Sequence, residues 1–143
     1  MKIIAIMAVI FTCIAIDANA MDINNVECFT DRKEYIQGDN VIINVKNNSN
    51  YDVSIVNRDY IDGGFATIEI KGKNDKWRAI ELVAAANIIT FKTLESGDSH
   101  IYIWRTKGYN RSDTLAIPGV YRVTLNNGIQ TNEFVIKKLK NTV

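Results

Sequence analysis

Histidine, proline and cysteine are all scarce in this chain of 143 residues, which holds one histidine, one proline and two cysteines. The lone histidine, His100, excludes most acid–base and nucleophilic chemistry. A Ser–His or Cys–His pair would need it as the base, yet it lies in a strand-like segment between Ser99 and Ile101 with no nucleophile motif around it. A zinc site needs three or four ligands, more than His100 and Cys28 can supply. The formal net charge is only +1, which leaves no global field to draw the protein to nucleic acid or to an anionic membrane. Gly63-Gly64 lacks the lysine and helix start of a phosphate cradle. Nothing rich in Pro, Gly or Ser divides the chain, and no repeat or low-complexity stretch is present. The expectation is a non-enzyme that carries no cofactor and no metal.

The long apolar run that does exist stands at the start. Lys2 precedes an unbroken apolar stretch over residues 3–16, too short to span a bilayer, and Ala18-Asn19-Ala20 supplies the small-x-small pattern that signal peptidase reads. Residues 1–20 are therefore expected to be a cleaved signal peptide. Residues 21–143 form one domain, 143 less 20 or 123 residues long, secreted or periplasmic and without stable membrane insertion after cleavage. Cys13 follows Phe11-Thr12 within the apolar run, a poor context for lipidation, and leaves with the signal. Only Cys28 then remains, so no internal disulfide can form. Two readings stay open for it: pairing between molecules, or a small core residue beside Val26 and Phe29.

From residue 40 onward the dominant period is two, the strand period. Val41, Ile43 and Val45 alternate with Ile42, Asn44 and Lys46. The turn Asn47-Asn48-Ser49-Asn50 leads to a second alternating run over residues 51–56, and the two are expected to pair as a hairpin. Further strands are expected at 66–71, from Trp77, at 87–93, at 99–105, at 120–125 and at 133–137. Residues 79–86 are the one stretch where helix competes. The 99–105 strand carries large apolar groups on both faces and is expected to be central and covered on both sides. Eight or nine short strands without a strong helix predict an all-β, immunoglobulin-like antiparallel sandwich. A small barrel is the competing arrangement.

Paired carboxylates at Asp59/Asp62 and Glu95/Asp98, and a loop calcium site from Asp59, Asp62 and Asp75, are chemically conceivable. These acids fall in turns, where they ordinarily accept backbone hydrogen bonds, and their spacing matches no EF-hand loop. Glycosylation sequons occur at Asn47 and Asn110. Recognition surface is what remains. Two loops mix Tyr, Arg and Gly: residues 57–64, with Arg58 and Tyr60, and residues 106–115, with Tyr109 and Arg111. Long loops on a rigid frame are the usual place for binding, and Tyr and Arg are the residue types that dominate interface energetics. Arg58, Tyr60, Tyr109 and Arg111 are the candidate binding residues, and the expected partner is a protein. His100 is expected to face solvent.

Three segments carry a resemblance: Tyr35-x-x-Gly38-Asp39-x-Val41 leading to Val45-x-Asn47-Asn48-Ser49; Leu94-Glu95-Ser96-Gly97-Asp98 leading to Trp104; and Ile117-Pro118-Gly119-Val120-Tyr121-Arg122-Val123. Over residues 26–138 the chain resembles the bacterial proteinase inhibitor family of the BsuPI type, which implies an immunoglobulin-like domain and a protease as a named alternative partner. The matching positions are framework: Gly38 and Gly97 turn the chain, Pro118-Gly119 bends it, and Tyr121 can bury its ring while its hydroxyl reaches backbone. An export signal departs from the intracellular inhibitor that names the family. The leading expectation is thus an exported module that binds a protein through loops or a strand edge. The alternatives are a proteinase inhibitor and a structural or surface-assembly subunit.

Overall fold

The computed structural model describes residues 25–85, 88–107 and 115–140. Ten strands follow in order: β1 (Val26–Thr30), β2 (Glu34–Ile36), β3 (Asn40–Asn47), β4 (Val53–Val56), β5 (Ala66–Lys71), β6 (Trp77–Ile80), β7 (Phe91–Leu94), β8 (Ser99–Arg105), β9 (Gly119–Leu125) and β10 (Phe134–Lys137). They form three open sheets, ordered β1-β3-β8, β2-β10-β9-β5-β6 and β4-β7. Every pairing is antiparallel except that of β2 with β10.

Alternation in the sequence becomes layering in space, because successive strand side chains point to opposite faces. Val41, Ile43 and Val45 turn inward from β3, and Tyr102 and Trp104 do so from β8. From the five-stranded sheet Ile68, Tyr121, Val123, Phe134 and Ile136 face the same interior, and all belong to one buried cluster. Aromatic rings join the two layers. Trp104 lies 5.6 Å from the ring of Tyr121 and 6.4 Å from that of Phe134, and Tyr35 meets Phe134 edge-on at 5.6 Å. Each such side chain contributes about 2 kcal/mol or more through burial. That contribution matters in a domain without a disulfide; Cys28 is a free thiol inside the core.

Several expectations change. Residues 41–46 and 51–56 do not pair as a hairpin: β3 lies between β1 and β8, while β4 pairs with β7. The cause is Asn47, whose side chain turns the chain away from its neighbour. Its Nδ2 donates to the carbonyls of Tyr51 (2.7 Å) and Leu94 (3.0 Å), and its Oδ1 accepts from the backbone N–H (3.0 Å) and hydroxyl (2.6 Å) of Ser49. Asn47 is fully buried, so the first sequon is a structural clasp and its amide is not open to a glycosyl donor. β8 is not central either. It ends the three-stranded sheet, and Ile101 on its outer face is 48% exposed. The stretch where helix competed continues β6 and then runs as irregular chain over its described part. β1 and β2, not anticipated from the sequence, raise the described strand count to ten.

Replacing Asn47 with Ala would strand the Tyr51 and Leu94 carbonyls and the Ser49 donors in the interior. The expected cost is about 3 kcal/mol, read as a fall in melting temperature of roughly 10 °C. A variant that melts with the native protein would show that the clasp is dispensable.

Candidate functional site

The loop over residues 57–64 lies along the free edge of β8 as a short parallel addition. Ile103 donates its N–H to the carbonyl of Asp59 (2.7 Å) and accepts from the N–H of Ile61 (2.9 Å). Both backbone groups of Ile103 are thereby satisfied where an edge strand would otherwise leave them open. Ile61 plugs into the core and Asp62 is buried beneath it. Asp62 accepts the Arg58 guanidinium and, at 2.7 Å, the N–H of Gly64. Gly63 is required for closeness: a β-carbon there would sit 2.6 Å from the carbonyl oxygen of Leu82.

This arrangement separates the two candidate residues of the loop. Arg58 is drawn down onto Asp62, with 14% of its side chain exposed. Tyr60 stays at the surface, and the Arg105 guanidinium stacks over its ring at 3.8 Å. Tyr109 and Arg111 lie outside the described residues. Lys107 and Leu115, at the two ends of that loop, form a bridge.

Around Tyr60 the outer face of β1-β3-β8 is largely apolar. Phe29, Asn44 and Ile101 stand in one row across the three strands, and Ile42 stands directly opposite Ile103 in the next. Phe29 and Ile101 are exposed, and Ile42 and Ile103 are half-buried. Glu27, Lys46 and Arg105 border the patch with charges of both signs. The apolar residues of β8 on this face were legible in the sequence, but Phe29 was not, because it belongs to a strand that was not anticipated.

His100 was expected to face solvent and instead is half-buried and fully engaged. It shares the inward parity of Tyr102 and Trp104, and its ring meets Tyr102 edge-on at 4.5 Å. Nε2 lies 2.8 Å from the carbonyl of Arg58, which can only accept, so Nε2 carries the hydrogen and Nδ1 accepts from the Lys92 ammonium at 2.8 Å. Burial holds the ring below its ordinary titration range. The Lys92 charge adds to that, while the Arg58 carbonyl and Asp59 oppose it. Cys28 is unreactive for a similar reason, since burial pushes its thiol up to about 12. Among the described residues no three His, Cys, Asp or Glu side chains come together as a metal site, and no helix is long and apolar enough to cross a membrane.

No protein-family model matches the chain, and no curated protein matches it. Among solved structures it is similar to an alkylpurine DNA glycosylase from Pseudomonas fluorescens bound to DNA containing an abasic site analog, at 11% identity and a TM-score of 0.40, covering 79% of this chain and 30% of that one. A β-glucosidase from Listeria innocua shows 17% identity and a TM-score of 0.40 over 78% of this chain and 16% of the enzyme. The sporulation control protein of Bacillus subtilis shows 13% identity and a TM-score of 0.38 over 82% of this chain and 49% of that one. The chain spans less than half the length of each, and these likenesses carry no activity to it.

With the folded ring titrating below the unperturbed 6.5, the unfolded chain takes up the proton first as pH falls. The stabilising contribution of neutral His100 is therefore complete above 6.5 and is lost as pH drops from there towards the folded midpoint. The single histidine gives one ring resonance to follow by NMR. Its midpoint is expected below 6.5, Lys92→Met is expected to raise it, and His100→Gln to flatten the rise of stability with pH in that window. A midpoint at or above the unperturbed value would refute the arrangement.

Proposed function

We propose that this chain is an exported, non-catalytic, immunoglobulin-like module that binds another protein through the outer face of β8, beside the loop that covers its edge. The immunoglobulin-like reading is supported by strand order: β1-β3-β8 corresponds to the A, B and E strands, and β10-β9-β5-β6 to G, F, C and C′ of the variable-type arrangement. The Tyr121 hydroxyl supports it too. On the penultimate strand it donates at 2.6 Å to the carbonyl of Ile117, four residues upstream, as in the tyrosine corner of such domains.

The observation that carries the binding proposal is the apolar outer face of Phe29, Ile42, Ile101 and Ile103, with Tyr60 locked beside it by Arg105. A contiguous apolar patch with a charged border is the pattern of a protein contact. A rigid Tyr already held in place loses little conformational freedom on binding. The border of mixed charge favours a polypeptide surface over nucleic acid. A protease is one such partner, in keeping with the family the framework resembles, and a second copy of the chain is the surface-assembly alternative.

A photo-crosslinking residue placed at Ile101 is expected to capture a polypeptide, while the same group at Thr67, exposed on the opposite sheet, captures none. Tyr60→Ala is expected to weaken that contact by about tenfold or more, ~1.4 kcal/mol, at an unchanged melting temperature. Equal capture from both positions would reject the β8 face. Self-adducts alone would transfer the reading to an assembly subunit. The mass of the exported product, expected to begin at Met21, tests export.

A further inference from the structure

Where the two large sheets splay apart, between β6 of one and the end of β8 of the other, lies a cavity of about 160 Å³. Its floor is Trp104 and Tyr121, both buried, and its walls include Ile80, Leu82 and Ile117. The cavity opens to solvent beside Arg78, and its volume is enough for a benzene-sized guest.

The polar groups at the cavity narrow the choice of guest. The Thr106 hydroxyl donates to the carbonyl of Asp39 at 2.7 Å, and the Tyr121 hydroxyl donates to Ile117 at 2.6 Å, so both hydroxyl protons are already committed. The positive charge belongs to Arg78, which lines the cavity from the inward-facing side of β6; the Arg105 guanidinium is turned outward over Tyr60. Burial pushes the Tyr121 phenol up to about 12, and the charge of Arg78, which lines the same cavity, opposes that rise. Arg78 forms no ion pair among the described residues. A guanidinium fork fits one carboxylate through two parallel hydrogen bonds.

We infer that this cavity binds a compact apolar group carrying a single carboxylate, with the apolar body over Trp104 and Tyr121 and the carboxylate on Arg78. Two sources share that chemistry: a free short-chain or aromatic carboxylic acid, and the C-terminal residue of a polypeptide that ends in an apolar side chain. The inference is independent of the β8 outer face, which lies on the other side of the strand.

The test is an NMR titration of the protein with four probes: phenylpropionate, its amide, acetyl-Gly-Gly-Leu with a free C-terminus, and the same peptide amidated. At least one carboxylate probe is expected to shift the resonances of Trp104, Ile80 and Ile117, with its amide binding about tenfold more weakly, ~1.4 kcal/mol. Arg78→Gln, at an exposed strand position, is expected to erase the difference between acid and amide. Ala116→Leu, which fills the cavity and leaves the charge in place, is expected to abolish binding of both. Binding of phenylpropionate alone identifies the free acid as the ligand class, and binding of the free peptide alone identifies the chain terminus. The inference is overturned if acid and amide bind alike, if the shifts fall elsewhere, or if none of the four probes moves the cavity resonances.

Discussion

The contact between the two layers at Trp104 sets the terms for the rest of the molecule. With no disulfide among the described residues, the sheets are joined by packed side chains, and Trp104 meets both Tyr121 and Phe134 across the interior. Tyr121 is tied back to the Ile117 carbonyl, so the ring that Trp104 rests against is itself fixed by a hydrogen bond at the corner that precedes β9. Rigid aromatics make a firm seam because they bury much area with few rotatable bonds. That firmness fixes the direction of β8. Once Trp104 and Tyr102 point inward, Ile101, Ile103 and Arg105 have to point outward, and the apolar outer face follows from parity rather than from any local signal.

β8 consequently bears two liabilities, an open backbone edge and an apolar back. The edge is managed by residues 59–61, which take both hydrogen-bonding groups of Ile103, and Asp62 anchors that loop through Arg58 and Gly64. Among the described residues nothing covers the back. A sequence that satisfies an edge with a dedicated loop and a buried carboxylate, yet leaves Phe29 and Ile101 at the surface beside it, treats the two problems differently. The proposed protein contact rests on that difference, since an apolar face lowers solubility unless something covers it.

Parity also explains what could be read in the sequence. Val41, Ile43 and Val45 were legible as one inward face, and the same count carried on two residues reaches Asn47, which is buried. Asn47 reads as a turn residue by composition, and only its parity marks it as interior. His100 repeats the lesson, two residues before Tyr102 and four before Trp104 on the same face. The hairpin expectation failed for another reason: sequence adjacency favours pairing of neighbouring strands, but the Asn47 clasp on the Tyr51 and Leu94 carbonyls directs β4 towards β7. β2 spans three residues and pairs in parallel with the last strand of the chain, a partner a hundred residues away that no local pattern could announce. Of the candidate site, the residue types were legible and their exposure was not. Arg58 finds Asp62 four residues on and is drawn down, whereas Tyr60 is held out.

The diversion of β7 links these observations into one design. Had β7 paired with β8, it would have occupied the edge that residues 59–61 now fill and closed the flank where Arg78 and Ile80 face Trp104. Lys92 of β7 meets His100 of β8, and the Tyr102 hydroxyl donates to the Val56 carbonyl of β4, so the displaced ribbon still touches the strand it does not pair with. The Lys92 contact depends on a neutral imidazole, because a protonated ring would lose the acceptor Lys92 needs and would repel its charge. The junction of ribbon and β8 is thus weakest in acid, whereas the Nε2–H bond to the Arg58 carbonyl survives protonation and keeps the loop that presents Tyr60 tied to the ring.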